Sequence, residues 1–279
     1  MTRGQHLDGG RVLITGGGSG IGRRMALELT RRGAHVIIWD LSAPAAETVC
    51  AQITAAGGTA RHQTVDVADR DVVDEAAATL IADVGGVDVV INNAGIVSGT
   101  RLLDTPAAAI ERTFDVNVLA LYWVTRAFLP GMIERRRGTV VTIASAAGLV
   151  GVARQTDYSA SKWAAVGFTE SLRNELRADG HPVATLTVCP YYIDTGMFAG
   201  VTTRFPRLLP ILQEDDVARR TIEAIERGRE QLIMPALVAT LPGLRLLPTR
   251  LFDRINDVLG VNATMDHFTG RVGTPARRG

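Results

Sequence analysis

This chain of 279 residues contains a tyrosine and a lysine four positions apart, Tyr158 and Lys162. Lys162 is the only lysine in the sequence, and the other 29 of its 30 basic residues are arginines. On a helix, side chains at this spacing project from the same face, about one turn apart. A free phenol has a pKa of about 10, but a neighbouring ammonium favours the phenolate. The pair therefore predicts a tyrosine that gives and takes a proton near neutral pH.

A glycine-rich segment, Thr15–Gly22, follows a predicted strand directly and opens a predicted helix. Glycines in this context allow a tight turn and a close approach of the backbone to a pyrophosphate, whose charge the helix N-terminus stabilises. The spacing of these glycines is wider than in the common Gly-x-Gly-x-x-Gly fingerprint. We predict that a dinucleotide binds at Gly16, Ser19, Gly20, Ile21 and Gly22.

The second predicted strand ends at Asp40. A carboxylate at this position accepts hydrogen bonds from both ribose hydroxyls of adenosine and repels a 2′-phosphate. Ser19 offers no cation to such a phosphate, and Arg23 and Arg24 are expected to point to solvent. The predicted cofactor is therefore NAD rather than NADP. The alternative is that Asp40 caps the following helix, although Ser42 is better placed as the cap.

Further candidate nucleotide-binding residues follow the third and fourth predicted strands. Asp66 and Val67 come after the third strand, where a carboxylate can reach the adenine amino group. The segment 92–95, Asn-Asn-Ala-Gly, follows the fourth strand, at the carboxyl edge where open sheets bind ligands. The candidates in this segment are Asn93, Ala94 and Gly95. Alternatively, the amides of Asn92 and Asn93 brace the neighbouring backbone.

Strand-like and helix-like segments alternate through the first 235 residues. The predicted strands are Arg11–Thr15, His35–Asp40, Ala60–Asp66, Val87–Asn92, Thr139–Ile143, Val183–Cys189 and Gln231–Met234. The predicted helices are Ile21–Arg32, Ala45–Ala56, Asp69–Val84, Pro106–Arg136, Tyr158–Ala178 and Asp215–Arg227, the fourth being long enough for two helices. Several strands are continuous apolar runs, as in a parallel sheet buried on both faces. This order predicts a doubly wound α/β sheet.

The composition excludes several classes of protein. The net charge is +1, and no basic face indicates nucleic acid as a partner; the run Arg135–Arg137 is predicted to be a solvated helix end. Cys50 and Cys189 lie far apart and in no metal-ligand spacing, which predicts a reducing compartment and no metal site. The segment Met1–Gly10 lacks an apolar signal core, and no apolar run is long enough to span a membrane. These features predict a soluble, cytoplasmic protein.

Several motifs occur in a characteristic order along the chain: Thr15-Gly-x-x-x-Gly-x-Gly22, Asn92-Asn-Ala-Gly95, Asn117, Ser145, Tyr158 and Lys162. In this order and spacing the chain resembles the short-chain dehydrogenase/reductase family over about residues 8 to 235. The resemblance implies an α/β fold with a doubly wound, mainly parallel, seven-stranded Rossmann-like sheet. It also implies one domain over residues 8–260 that forms homodimers or homotetramers.

The resemblance further implies a role for each catalytic residue in hydride transfer between an alcohol and a nicotinamide. Tyr158 is expected to be the acid and base, its pKa lowered by Lys162 together with the positive nicotinamide ring. Lys162 is also expected to hold the nicotinamide ribose. Ser145 is expected to hydrogen-bond the substrate oxygen, and Asn117 to hold a water that links Lys162 to bulk solvent.

The chain departs from the usual family pattern after its sixth predicted strand. Many members have a Pro-Gly pair there, whereas this chain has Pro190 followed by Tyr191. Pro190, Ile193 and Thr195 are still expected to contact the cofactor, with Thr195 bonding its carboxamide. The segment resembles the branch that contains retinol dehydrogenases and 17β-hydroxysteroid dehydrogenases. Members of that branch act on bulky apolar alcohols and are often associated with membranes.

Two apolar segments are candidates for the substrate region. The first, about 191–212, is predicted to be a lid over the nicotinamide, or alternatively a core or subunit contact. The second, an apolar C-terminal extension at about 235–270, is predicted either to rest on a membrane surface or to form a pocket wall or oligomer contact. Met265–Phe268 is expected to dock on the protein, and Gly273–Gly279 to be disordered. The predicted substrate-pocket residues are Val97, Ala147, Tyr191, Tyr192, Met197 and Phe198.

The sequence thus favours an NAD-dependent oxidoreductase that interconverts a bulky apolar alcohol, of retinoid, steroid or long-chain type, and its carbonyl. The first alternative is an NADPH-dependent carbonyl or oxoacyl reductase, against which Asp40 argues. The second is a binding protein that senses a dinucleotide without turnover, which a complete set of catalytic residues disfavours. The expected location is cytoplasmic, with contact to a membrane surface if the extension provides it.

Overall fold

The computed structural model describes residues 6–270, which contain a seven-stranded sheet of parallel strands in the order β3-β2-β1-β4-β5-β6-β7. The strands are β1 Arg11–Thr15, β2 His35–Asp40, β3 Thr59–Thr64, β4 Val89–Asn92, β5 Thr139–Ile143, β6 Ala184–Pro190 and β7 Gln231–Met234. The predicted doubly wound, Rossmann-like α/β fold is confirmed. The predicted span of the domain and the predicted disorder of Gly273–Gly279 stay predictions, and the latter segment lies outside the described residues.

Helices connect the strands and cover both faces of the sheet. They are α1 Gly20–Arg31, α2 Ala43–Ala55, α3 Arg70–Val84, α4 Ala107–Phe114, α5 Ala120–Glu134, α6 Thr156–Ala178, α7 Glu214–Glu226, α8 Leu241–Leu244 and α9 Thr249–Leu259. Successive strand residues point to opposite faces. In β1, Val12 and Ile14 therefore pack with α1, α2 and α7, while Leu13 packs with α3, α5 and α6. Continuous apolar strands are stable here because both faces are covered.

The chain reverses its winding direction at β1, which lies between β2 and β4. The connections from neighbouring strands leave toward opposite faces at such a point, so a crevice opens beyond the carboxyl ends of the strands. The segments that follow β1 and β4 border this crevice. The predicted glycine-rich loop and the Asn-Asn-Ala-Gly segment are therefore brought together by the topology.

Element boundaries differ from the prediction where polar side chains end an element. The third strand was predicted to reach Asp66, but it ends at Thr64. Asp66 begins a turn instead, since its carbonyl accepts a hydrogen bond from Asp69 N and its carboxylate accepts one from Ala68 N. Asp69 then caps α3 by accepting hydrogen bonds from the first-turn amides.

The long predicted helix Pro106–Arg136 consists of α4 and α5 joined by one π-helical turn, Asp115–Leu119. Among the described residues, Ala107–Glu134 is the one helical run long and apolar enough to cross a membrane by length and composition alone. Half of its most apolar window is buried inside the protein. Trp39 and Phe128 show why, since their rings pack 5.6 Å apart between β2 and α5. The buried half of this window belongs to the core of the protein.

The prediction that Arg135–Arg137 is a solvated helix end is confirmed in part. The run lies at the end of α5, and Arg136 and Arg137 are exposed, but Arg135 and Arg137 also contact the protein. Arg135 donates hydrogen bonds to the carbonyls of Gly85 and Val87, and Arg137 lies 3.4 Å from the buried carboxylate of Asp88. The two guanidinium groups therefore fasten the end of α5 to the segment that enters β4. The pairing involves residues about 50 positions apart, which sequence spacing does not reveal.

The C-terminal extension packs on the segment predicted to be a lid. A bridge between Ile193 and Leu212 closes the base of that segment. Backbone hydrogen bonds from Thr202 N to Thr264 O and from Thr269 N to Ala199 O then join it to the extension. Met265 is buried and Phe268 packs in the same apolar cluster, so the expected docking of Met265–Phe268 is confirmed.

Candidate active site

A cavity of about 520 Å³ lies at the carboxyl edge of the sheet. This volume falls within the range of small-molecule and cofactor sites. The residues proposed from sequence that line it are Gly16, Ser19, Gly20, Ile21, Gly22, Asp40, Asp66, Val67, Asn93, Ala94, Gly95, Ser145, Ala147, Tyr158, Lys162, Pro190, Tyr191, Tyr192, Ile193, Thr195, Met197 and Phe198. Val97 and Asn117 were also proposed and are not in the wall, where Ile96 lies instead of Val97.

Side chains of β1 and of the segment after β4 join the two sides of the crevice. The Thr15 hydroxyl accepts hydrogen bonds from the backbone N–H groups of Asn93 and Ala94, at 3.0 and 3.1 Å. The Asn93 amide in turn donates to the carbonyls of Thr15 and Gly16. Asn92 donates to Thr125 in the core. Both asparagines therefore brace neighbouring groups, as the alternative interpretation held, and Asn93 lines the cavity as well.

The loop between β1 and α1 has the features that a pyrophosphate requires. Gly20 has a φ of +52°, a left-handed conformation that favours glycine. A Cβ at Gly22 would lie 2.2 Å from the Gly16 carbonyl oxygen, so this glycine is needed for the tight turn. The first turn of α1 contains no acidic residue and borders the cavity. No acidic side chain of the first turn therefore competes for the positive end of the helix, which fits an anionic ligand.

Asp40 lies at the end of β2 and lines the cavity. One carboxylate oxygen accepts a hydrogen bond from Gly18 N at 2.8 Å, and the other accepts one from Ser42 N at 2.9 Å. Ser42 itself caps α2 through Ala45 N, so the helix does not depend on Asp40 for its cap. Each carboxylate oxygen retains a further lone pair for a ligand hydroxyl. Asp40 thus holds the glycine-rich loop and lines the cavity.

The sequence suggested that Arg23 and Arg24 point to solvent. In the structure, each side chain is instead hydrogen-bonded to a residue of another helix. The Arg23 side chain donates to Gln52, and that of Arg24 donates to Glu214 at 3.0 Å. Both are on α1 and absent from the cavity wall. We therefore still expect that neither arginine binds a ribose phosphate. The reason differs from the one given by the sequence, because the side chains are paired with residues of neighbouring helices.

Arg112 is a cavity residue that sequence analysis missed. Its Nη2 lies 2.9 Å from both carboxylate oxygens of Asp66, so α4 is tied to the segment after β3. The two residues are 46 positions apart on unrelated elements. No spacing signal could have revealed the pair. The ion pair holds the Asp66 carboxylate in place at the predicted adenine end.

The predicted catalytic side chains meet where β5 ends and α6 begins. Tyr158 and Lys162 lie on one face of α6 and are both buried, with the Lys162 ammonium 5.6 Å from the centre of the Tyr158 ring. Lys162 Nζ donates a hydrogen bond of 2.9 Å to the carbonyl of Ile143, the last residue of β5. Ser145, two residues further on, accepts from Ala147 N and lines the same part of the cavity.

The pKa of Tyr158 differs from the sequence-based expectation. Burial raises the pKa of the Tyr158 phenol above its ordinary value, and the Ser145 hydroxyl beside it opposes this increase only in part. Burial also lowers the pKa of Lys162 to about 8. Desolvation disfavours the charged form of each group. The expected lowering relied on two positive charges, and the protein supplies one of them.

Asn117 acts from outside the cavity wall. It lies in the π-helical turn, a feature common at functional sites, and is buried. Its amide accepts from Ile96 N, donates to Ile96 O and donates to Ser161 Oγ, each at 2.9 Å. Asn117 therefore fixes the segment after β4 against α6, one residue before Lys162. Its expected link to a water stays a prediction.

Aromatic rings and the C-terminal extension form the other end of the cavity. Ring contacts lead from Tyr158 to Phe198 at 5.8 Å, from Phe198 to Tyr192 at 5.1 Å, and from Tyr192 to Tyr191 at 4.8 Å. Residues of the extension complete the wall: Leu237, Val238, Thr240, Leu241, Leu244, Asn256, Leu259 and Val261. This arrangement matches the pocket-wall interpretation of the extension. Sequence analysis did not single out these residues because they share no motif.

The comparisons with known proteins agree with this geometry. A sequence model of the family described as short chain dehydrogenase matches residues 11–204. The chain belongs to the short-chain dehydrogenase family. Mouse (Mus musculus) epidermal retinol dehydrogenase 2 is 42% identical over 263 residues, 93% of this chain and 85% of that protein. Human (Homo sapiens) 17-beta-hydroxysteroid dehydrogenase 13 is 37% identical over 228 residues, 81% of this chain and 75% of that protein.

Solved structures of short-chain dehydrogenases share the fold. A short-chain dehydrogenase/reductase from Burkholderia phymatum in complex with NAD has a TM-score of 0.78 and 27% identity, covering 98% of this chain and 99% of its own. A metagenomic short-chain oxidoreductase in complex with NADP has a TM-score of 0.69 and 29% identity, covering 82% and 97%. The predicted resemblance to the family, and to its retinol and hydroxysteroid dehydrogenase members, is confirmed.

We expect Lys162→Met to abolish activity and to alter how stability depends on pH. The folded-state pKa of Lys162, about 8, lies below its ordinary value of 10.5. Between these values the unfolded chain holds a proton that the folded chain has lost, so the free energy of unfolding rises with pH there. Below pH 8 the cost of burying the ammonium is present in full, up to about 3 kcal/mol.

Thermal unfolding of the two proteins from pH 7 to pH 9.5 measures this effect. Relative to the wild-type protein, Lys162→Met should lose stability as pH rises, because only the wild type gains from deprotonation. Arg126→Met, which removes an exposed cation from α5, should show no such trend. A constant difference between Lys162→Met and wild type across the range would contradict the shifted pKa.

Proposed function

We propose that the protein is an NAD-dependent dehydrogenase that interconverts a bulky apolar alcohol and its carbonyl. The observation that carries the proposal is one continuous cavity with two chemically different ends. A glycine-rich loop and Asp40 border one end, aromatic and aliphatic side chains enclose the other, and Tyr158, Lys162 and Ser145 lie between them. Such a cavity suits a dinucleotide and an apolar substrate that meet at the three polar side chains.

The roles of the protein groups follow from their positions. A bound nicotinamide supplies the acceptor or donor of the hydride. Ser145 hydrogen-bonds the substrate oxygen, and Tyr158 takes the proton of an alcohol or returns it to a carbonyl oxygen. Lys162 supplies the positive charge that favours the phenolate during this transfer. Asn117 holds the segment after β4 against α6 next to Lys162, and it supports the proton path from Lys162 to solvent.

The choice of NAD is based on Asp40. Its carboxylate lies at the end of β2, where it suits ribose hydroxyls and repels a 2′-phosphate. Arg23 and Arg24 are held by Gln52 and Glu214, and neither lines the cavity. The solved structures similar to this chain include one with NAD and one with NADP, so the cofactor depends on these local groups rather than on the fold.

The two alternatives differ from this proposal in measurable ways. A carbonyl reductase that uses NADPH requires a cation near the adenosine ribose, and Asp40 occupies that end of the cavity. A binding protein that senses a dinucleotide does not require catalytic side chains, whereas Tyr158, Lys162 and Ser145 are all present in the cavity wall. We therefore propose turnover with NAD.

We propose that copies of the chain associate through the long helices α5 and α6. Tyr122 on α5 is 43% exposed, and Leu119 just before α5 is 40% exposed, although both are large and apolar. Tyr122 contacts Phe168 of α6 edge-on, with ring centres 4.8 Å apart, so these exposed groups belong to a surface formed by both helices. Apolar surface of this kind supports a homodimer or a homotetramer.

Tyr158→Phe should abolish oxidation while leaving NAD affinity within about two- to threefold of wild type. Loss of a positioned acid and base lowers rates by about 10²- to 10⁴-fold. The rate of NADH formation, followed by absorbance with apolar alcohols as substrates, measures the effect. In the wild type this rate should rise with pH as the phenolate fraction grows. Tyr122→Phe is the matched control and should retain activity; substantial turnover by Tyr158→Phe would reject the assignment.

Replacement of Asp40 should separate its charge from its hydrogen bonds. Asp40→Ala removes both and should weaken NAD about 10- to 100-fold, since hydrogen bonds to charged groups contribute roughly 1.5–3 kcal/mol. Asp40→Asn retains an oxygen for Gly18 N but lacks the charge that repels a 2′-phosphate, so its NADP affinity should increase. Calorimetric titration with each dinucleotide measures both changes. Asp104→Ala, an exposed control, should change neither affinity; equal losses of NAD and NADP in Asp40→Ala would contradict the ribose role.

We propose a cytoplasmic location with peripheral contact to membranes through the outer face of the extension. Leu246 is 89% exposed, Val258 is 62% exposed, and arginines 250 and 254 are exposed nearby in the sequence. Exposed apolar residues flanked by cations suit the interface of an anionic bilayer. Flotation with vesicles of mixed neutral and anionic phospholipid should recover the wild type, and Leu246→Glu should lower recovery. Leu103→Glu, at an exposed leucine outside the extension, should not; no wild-type flotation would reject the contact.

A further inference from the structure

Helix α9 in the C-terminal extension has an unusual buried face. The inward positions are Phe252, Ile255, Asn256 and Leu259, which have the spacing of one helical face. Three of the four are apolar. The most buried position on the helix is nevertheless the polar one, since Asn256 is 5% exposed.

A second unusual feature of Asn256 is its position in the cavity wall. Its backbone carbonyl accepts a hydrogen bond from Gly260 N at the end of the helix, whereas its side-chain amide makes no hydrogen bond among residues 6–270. A buried amide without a partner costs about 1–3 kcal/mol. Buried polar groups in folded proteins are normally satisfied, so the amide indicates a hydrogen bond that is completed from the cavity.

Several other polar groups of the same cavity are paired within the protein, although the Tyr191 hydroxyl is buried there with no hydrogen-bond partner among residues 6–270. The Gln155 amide donates to the Tyr192 hydroxyl at 3.3 Å, and that hydroxyl lies 2.8 Å from Thr264 Oγ1. The Thr240 hydroxyl donates to the Leu237 carbonyl. These groups are occupied by the protein itself, so they complete the wall rather than offer a site. Asn256 differs because its amide retains both its donor and its acceptor.

Asn256 lies on the extension, on a different element from the catalytic side chains at the end of β5 and on α6. The ring contacts described above lead from Tyr158 through Phe198 and Tyr192 to Tyr191, and Tyr191 packs in the same apolar clusters as Leu259. Leu259 is three residues from Asn256 on the buried face of α9. The other residues that the extension contributes to the cavity wall are aliphatic except for Thr240: Leu237, Val238, Thr240, Leu241, Leu244, Leu259 and Val261.

We propose that Asn256 determines substrate specificity by hydrogen-bonding a second oxygen of the substrate, at the end remote from the reacting alcohol. The inference rests on the proposed function and narrows its substrate class to bulky apolar alcohols with an oxygen function at each end. A steroid alcohol that carries a ketone at the opposite end of its ring system has this form. Retinol, which carries one oxygen, does not. A ketone uses the donor of the amide, and a hydroxyl can use its acceptor as well.

The test compares dihydrotestosterone with its analogue that lacks the ring-A ketone, using NADH formation for turnover and equilibrium dialysis for binding. The wild-type full-length chain should favour the ketone-bearing alcohol roughly 10- to 100-fold in kcat/KM, as expected where a buried polar group would otherwise stay unpaired. Asn256→Leu should abolish this preference, mainly by losing activity on the ketone-bearing alcohol. It should keep or improve activity on the ketone-free analogue and on retinol.

Two further variants define the cause of any change. Asn256→Asp cannot donate to a ketone but can accept from a hydroxyl, so it should reject dihydrotestosterone and retain the corresponding diol. Asn262→Leu makes the same change at an exposed asparagine of the extension outside the cavity wall, and it should retain the preference. Because Asn256→Leu removes an unpaired polar group, it should unfold at or above the wild-type temperature.

The outcomes separate this inference from the proposed function. Equal turnover of both alcohols, or a preference for the ketone that survives in Asn256→Leu, would show that the Asn256 amide does not bind the substrate oxygen. Either result would overturn this inference and leave the proposed dehydrogenase function in place. Preferential binding of the ketone-bearing steroid without turnover would support Asn256 and reject the dehydrogenase proposal for this substrate class. Failure of both steroids to bind would also overturn the inference.

Discussion

The hydrogen bonds between Thr15 and Asn93 hold together the two strands on which the site depends. The ladder between β1 and β4 pairs Ile14 with Ile91 as its last residues, and beyond it the chains diverge to opposite faces of the sheet. The Thr15 hydroxyl and the Asn93 amide continue the connection where the backbone ladder cannot. These hydrogen bonds fix the glycine-rich loop against the segment after β4. They therefore define the shape of the crevice that the later elements border.

The proposed catalytic side chains depend on a second constraint, the burial of a cation at the end of β5. Lys162 is stabilised by the Ile143 carbonyl and destabilised by desolvation, which lowers its pKa to about 8. The same burial raises the pKa of Tyr158. The protein therefore stores an electrostatic cost in its site, a common feature of active sites. Packing of Asn117 against α6 and the segment after β4 keeps this arrangement in place.

The C-terminal extension and the segment predicted to be a lid together form one wall of the cavity. Their backbones are hydrogen-bonded to each other, and their apolar side chains pack in one cluster. The inward face of the extension therefore becomes part of the cavity wall, while Leu246, Leu251 and Val258 on its outer face remain exposed. One amphipathic segment thus contributes to two surfaces, and Asn256 is the polar exception on the inward face.

The sequence by itself determined the order of strands and helices, because apolar periodicity and glycine placement are local properties. It also identified most of the residues that line the cavity at the carboxyl edge, Tyr158 among them, since motif residues follow strand ends that a parallel sheet brings to one edge. The tertiary structure alone decided which distant side chains meet, including Arg112 with Asp66, Arg135 with the segment before β4, and Asn256 with the cavity. Such contacts join residues far apart in the chain, so no local pattern encodes them. The same holds for the pKa of Tyr158, because burial is a property of the assembled fold.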